Sequence, residues 1–279
     1  MKTFTQHIKT SSLILLTVFG FTNANAFSQN PTDKKGDEKK SSILRTVKHS
    51  AFKAGEKLTY RLHYGIIDAG EATLEVKKTS KTVKGRELLH VVGKGRTLGA
   101  FNWVFKVRDR YESYIDAEGI FPWMFIRRVN EGGFKINQDY VFKQDKKQVK
   151  TQDKKTFETP FGIQDMLSSF YYTRTLDFSK AKINDEYSMN MFIDNEVFPF
   201  KIKYLGTETV KTRKGKFDCI KLRPIMMKGR VWESEESMTI WVSNDENKIP
   251  ILLETEIAVG TIKATLTKWE GLVKPIVKK

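Results

Sequence analysis

Four arginines, Arg108, Arg110, Arg127 and Arg128, are of the type that could grip an anion. Arg108 and Arg110 share a face with Lys106 and Glu112, and Arg127-Arg128 closes a long apolar run. A guanidinium stays charged at physiological pH and donates in a planar fork that matches phosphate, so the cluster points to an anionic surface as partner. Other residue types offer less. Asp68, Glu71, Asp109, Asp116, Asp165 and Asp245 could furnish a carboxylate pair for glycoside hydrolysis. Asp68, Asp116 and Asp245, however, sit where turns use aspartate for its backbone hydrogen bonds. His49, His63 and His90 have no histidine partner at metal-ligand spacing. The single cysteine, Cys219, lies among Phe217, Ile220 and Leu222 and reads as an ordinary packing residue. No Gly-x-Ser-x-Gly elbow, Cys-x-x-Cys or His-Glu-x-x-His is present. The expectation is a chain with no catalytic residue, no cofactor and no metal.

The address comes from residues 1–26. Lys2 and Lys9 make a basic start, residues 13–21 form a short apolar run, and Ala24-Asn25-Ala26 is a small-x-small cleavage pattern. Cleavage after Ala26 would leave Phe27 as the first residue and make the chain periplasmic or secreted. The apolar run falls well short of the roughly 20 residues that span a bilayer, so no transmembrane segment is expected after cleavage. The formal charge of +16 would suggest nucleic acid in a cytoplasmic protein. In an exported one the counterpart becomes anionic lipid head groups or lipopolysaccharide phosphates, and no nucleic acid is expected. Lysines scattered through turns keep strand edges from pairing with a neighbour, and this solvated, edge-protecting role stands ahead of a specific anionic surface.

The elements that must position these groups are strands. Residues 27–50 are polar and charged and read as a flexible leader. Residues 51–273 form one domain, and 274–279 a basic tail. Leu58, Tyr60, Leu62 and Tyr64 alternate along one strand, and Ala72, Leu74 and Val76 line its hairpin partner. Gly93-Lys94-Gly95-Arg96 reads as a turn. After it, Phe101, Trp103, Phe105, Val107 and Tyr111 share a strand face that Asp109 interrupts. Helical spacing occurs once, at Ile163, Met166, Leu167, Phe170 and Tyr171. About eleven strand segments and one short amphipathic helix predict a mainly β fold: a strongly curved antiparallel sheet, half-barrel or barrel-like, with the helix on its concave face.

Phe52 to Tyr60, Tyr64-Gly65, Ala69-Gly70-Glu71 and Asp165 to Arg174 resemble the exported bacterial family of domain of unknown function 3108. The resemblance continues through Gly215 to Cys219, Trp241 to Asp245, Ile249-Pro250 and Gly260-Thr-Ile262. It implies a mostly β, envelope-located protein and transfers no catalytic residue. Similarity to the curved half-barrels of lipoprotein carriers is an analogy of fold.

Two non-enzymatic readings follow. An open core would carry a lipid-like or other hydrophobic molecule, lined by Trp103, Phe105, Trp123, Phe125, Phe134, Phe142, Met166 and Phe170. A filled core would make a structural or adaptor protein of the envelope. The carrier stands first and an envelope hydrolase third. With Trp103 inside, Trp103→Asp would bury an unpaired charge and prevent folding.

Overall fold

The computed structural model describes residues 44–225, 238–257 and 260–279. Residues 1–43, which hold the expected export signal and most of the expected leader, lie outside the described residues. Fourteen antiparallel strands form one sheet, and the chain enters it in the middle. β1 (Lys57–Tyr64), β2 (Ile67–Val83), β3 (Arg86–Thr97) and β4 (Arg108–Asp116) step outward by hairpins, followed by β5 (Pro122–Glu131), β6 (Phe134–Lys143), β7 (Gln148–Thr151) and β8 (Thr156–Glu158). The chain then crosses to the opposite edge. β9 (Glu186–Ile193), β10 (Glu196–Thr212), β11 (Gly215–Ile225), β12 (Met238–Ser243), β13 (Pro250–Ile257) and β14 (Gly260–Glu270) return to the middle, where β14 pairs with β1. The sheet is curved and not closed.

Among the described residues two α-helices interrupt the strands: α1 (Phe101–Val104) and α2 (Met166–Thr173). Asp165 caps α2. Its carboxylate accepts the Ser168 backbone N–H at 2.7 Å, and the Ser168 hydroxyl accepts the Asp165 N–H at 2.8 Å. This reciprocal box fixes where the helix starts. Met166, Leu167 and Tyr171 then face the interior.

Alternation decides what lies inside. Leu58, Tyr60, Leu62, Leu74, Val76, Tyr111 and Phe125 from the first half-sheet join Phe192, Ile193, Phe217, Leu253 and Leu266 from the second in one continuous buried cluster. Phe192 meets Tyr140, Phe142 and Phe157 with ring centroids 5.1, 6.3 and 5.3 Å away, so the two outer edges of the sheet converge on the same core.

Two segments differ from the sequence reading. Gly93 to Arg96 is strand, not turn. Gly93 stands opposite Tyr111 and Gly95 opposite Asp109, positions where a bare backbone leaves room for inward side chains on the neighbouring strand. Residues 101–104 are helix, not strand. Arg96 must pair with Arg108 on the adjacent antiparallel strand, so the chain between them has to reverse, and Gly99 at φ 51° starts that reversal. Residues 44–50, placed by composition in the leader, lie against the domain. Arg45 donates to the carbonyls of Gly119 and Ile120 at 2.9 Å each and stacks on Tyr172 at 4.2 Å. The tail docks as well, through the Lys279 ammonium 3.0 Å from Asp218.

Candidate functional site

A side chain's direction on a strand follows parity, and parity divides the four arginines. Arg108, Arg110 and Arg128 point outward. Arg127 shares its parity with Phe125 and Val129 and is fully buried, with Nη1 3.0 Å from Asp194 and 3.2 Å from the Gln138 side-chain oxygen. Arg127 is therefore an interior group and not part of a basic surface. Its burial requires the Asp194 partner, since an uncompensated guanidinium in the core would be prohibitive.

The outward arginines line an open groove of about 740 Å³ on β1 to β6, with Lys57, Lys94, Arg96 and Lys135. Register sets like charges side by side along the groove. Lys94 on β3 stands opposite Arg110 on β4, and Arg110 stands opposite Arg128 on β5. Like charges directly opposite on neighbouring strands are destabilising, so three in a row raise the cost of the fold. The cost is partly offset. Arg110 Nε lies 2.6 Å from Glu112, whose other oxygen meets His90 Nε2 at 2.6 Å, and Arg128 pairs with Asp139. Burial opposes charge on Glu112, yet Arg110 and His90 hold its carboxyl below the usual range. Arg96 pairs with Glu71 at 2.9 Å. Among the described residues, Lys57, Lys94, Arg108 and Lys135 have no carboxylate partner. Arg108 is held instead by the Asn102 side-chain oxygen at 2.8 Å and the Val107 carbonyl at 2.5 Å.

The carboxylates that could have formed a catalytic pair serve the fold. Asp116 accepts the Glu118 and Gly119 N–H groups at 3.0 and 2.7 Å and Trp123 Nε1 at 3.1 Å, and Asp245 accepts the Asn247 and Lys248 N–H groups. Asp68 pairs with His63 at 2.9 Å. Asp109 is buried on the opposite face of β4 from Arg108 and Arg110 and accepts the Asn130 N–H at 2.9 Å; burial pushes its carboxyl up. Asp165 is fully enclosed in its capping box, with the Ser113 hydroxyl 2.6 Å away; burial raises it to about 6. Burial also pushes the Cys219 thiol up to about 12, which removes thiolate reactivity at neutral pH.

The aromatic candidates scatter. Phe125, Phe142 and Met166 are buried in the main core. Trp123 belongs to a separate small cluster with Leu88 and Phe121. Phe105 and Phe170 are half-buried against that main core, Phe105 beside Gly132 and Phe170 edge-on to Tyr171 at 5.3 Å. Phe134 is exposed at the start of β6, and Trp103 on α1 is 91 % exposed. These eight do not converge on one cavity. Trp103→Asp is accordingly expected to fold with a melting temperature within a few degrees of the parent, since an exposed substitution typically costs under about 0.5 kcal/mol. A thermal melt followed by circular dichroism checks this.

One constellation had no sequence signal. Arg174, at the end of α2, is clamped by Glu56 through paired contacts of 2.6 and 2.7 Å; it also donates to the Ala51 carbonyl at 2.8 Å and the Asn247 carbonyl at 3.0 Å. Phe52 and Tyr171 lie against the guanidinium at 5.4 and 5.1 Å. Burial would weaken its hold on the proton, and Glu56 more than restores it. The partners lie 118 residues apart, so spacing could not join them.

A family model described as "Protein of unknown function (DUF3108)" matches residues 59–267. No curated protein matches the chain in sequence. Among solved structures, a β-barrel-like protein of domain of unknown function DUF1849 from Brucella abortus is 13 % identical, with a TM-score of 0.51, covering 82 % of this chain and 99 % of its own. A candidate lipoprotein from Parabacteroides distasonis is 12 % identical with a TM-score of 0.33, covering 81 % of this chain and 100 % of its own. The Brucella protein supports a common fold.

Proposed function

This chain belongs to the DUF3108 family, and from that premise we propose that it is an exported, non-catalytic envelope protein that binds an anionic envelope component through the outer face of its sheet. Export rests on the basic start, the short apolar run and Ala24-Asn25-Ala26, which would yield a mature chain from Phe27 in the periplasm or outside the cell. No helix among the described residues is long and apolar enough to cross a membrane. The non-catalytic reading is supported by the carboxylates, which serve turns, caps and ion pairs.

The observation that carries the binding reading is the row Lys94, Arg110 and Arg128 in register across three strands. An anion bound across the row would relieve that repulsion. The interior lends the carrier reading little support, because Phe125, Phe142 and Met166 pack against other core side chains. Their packing supports the filled-core alternative.

Titration with inorganic polyphosphate at about 0.15 M salt, where the Debye length is about 8 Å, tests the groove. The native protein should bind saturably. Arg110→Ser/Arg128→Ser should weaken binding about tenfold or more, as expected when two charge-assisted contacts are removed. Lys146→Ser/Lys180→Ser, with the same loss of charge at exposed positions outside the groove, should leave it nearly unchanged. Equal weakening by both pairs would reduce the effect to net charge and overturn the site.

A further inference from the structure

One end of the sheet exposes apolar side chains on three separate turns. Ile66 and Ile67 at the β1–β2 turn are 100 % and 54 % exposed, Trp103 and Val104 on α1 project between β3 and β4, and Phe134 follows the β5–β6 turn. The three turns are neighbours. Tyr64 meets Phe101 with ring centroids 6.4 Å apart, the Leu98 N–H donates to the Ala69 carbonyl, and the Gly132 N–H donates to the Lys106 carbonyl. Single exposed apolar residues are ordinary on a soluble protein, but five gathered at one end mark an interaction surface.

The setting of this tip is basic. Asn102, the residue before Trp103, accepts from Arg108, and the groove that begins there carries Lys94 and Lys135. None of these three cations has a carboxylate partner among the described residues. Tryptophan beside aliphatic side chains and unpaired cations matches the layering of a bilayer surface, where acyl chains lie beneath phosphates.

We infer that this end of the sheet docks on an anionic lipid leaflet. Trp103, Val104, Ile66 and Ile67 enter the boundary between head groups and acyl chains, while Arg108, Lys94 and Lys135 meet lipid phosphates. The inference rests on the proposed anion-binding outer face and names its partner; the two fail separately, because polyphosphate reports on the Arg110–Arg128 row and vesicles report on the tip.

The mature chain is floated with vesicles of phosphatidylglycerol and phosphatidylcholine at about 0.15 M salt, where non-specific attraction is screened. It should bind these vesicles and not phosphatidylcholine alone. Lipids brominated on the acyl chain should quench tryptophan emission, and Trp103→Phe should remove that quenching. Ile66→Ser/Trp103→Ser should bind about tenfold or more weakly, given the apolar area lost, and Arg108→Gln should weaken binding as well. If a variant fails to fold, bromine quenching of the unaltered protein still decides. Absence of quenching, or vesicle binding indifferent to the tip substitutions, would overturn the inference. So would a dimer that dissociates on Trp103→Ser without any vesicle binding, which would assign the tip to a second copy of the chain.

Discussion

Glu56→Ala is expected to destabilise the domain by about 3–5 kcal/mol, because it leaves the buried Arg174 charge without its counterion. A typical domain is stable by only about 5–15 kcal/mol, so much of the protein should unfold at mild temperature. The guanidinium cannot shed its proton and cannot reach water from behind Phe52 and Tyr171. Arg174→Met alone should cost a similar amount by stranding the Glu56 carboxylate, which is 0 % exposed. The double variant Glu56→Leu/Arg174→Met should recover a large part of the loss, since an apolar pair of similar volume often replaces a buried ion pair at little cost. Urea unfolding followed by circular dichroism measures all three. Additive losses in the double variant would show that the two residues act independently.

The second large effect is a pH dependence centred on Asp165. Its folded carboxyl titrates near 6 against an ordinary value of 3.8, because burial outweighs the hydrogen bonds from Ser113 and Ser168. The folded state therefore holds this proton more tightly than the unfolded chain. The stabilisation is fully present below about pH 4 and is lost as pH rises through about 6, a swing of about 3 kcal/mol for a two-unit shift. Asp165→Asn keeps a cap acceptor for the Ser168 N–H and has no proton to lose. Its stability relative to the parent should rise by about that amount between pH 4 and pH 7. Asp165→Ala should be less stable than Asp165→Asn throughout, by about 1 kcal/mol for the missing cap. Unfolding free energies at pH 4, 5, 6 and 7 test this; parallel curves for parent and Asn variant would refute it.

Local periodicity made much of this fold legible. Leu58, Tyr60 and Leu62 identify β1, and Met166, Leu167 and Tyr171 identify the buried face of α2. The mostly β class and the curved antiparallel sheet follow from such patterns, whereas the family rests on the resemblance of segments such as Asp165 to Arg174. Trp103 is illegible in sequence because Phe101, Trp103 and Phe105 alternate as a strand would, while the pairing of Arg96 with Arg108 forces a reversal that only the tertiary structure reveals. Arg127 was misplaced although parity with Phe125 and Val129 pointed inward; the missing knowledge was its counterion, 67 residues away. For the same reason the Glu56–Arg174 pair could not be foreseen, although both residues lie in segments that carry the family resemblance. The groove was partly legible: Arg108, Arg110 and Arg128 were identified, whereas Lys94 and Lys135 join them only through sheet register.

The strand order also dictates a sequence of events in time. Because β1 pairs with β14, the first strand to leave a ribosome or a translocation pore waits for the last before its second edge is covered. Leu58 meets Trp269 across almost the whole domain, a closure whose entropic cost precedes any reward from contact. The hairpins β1 to β8 and β9 to β13 can each form from neighbours, and the final strand then joins two preassembled half-sheets. A chain ending before Gly260 would keep every local hairpin signal except the last and still leave β1 and β13 as raw edges, the condition in which strands pair with other molecules. Synthesis that stops before this last strand should thus produce aggregation rather than a slightly smaller protein.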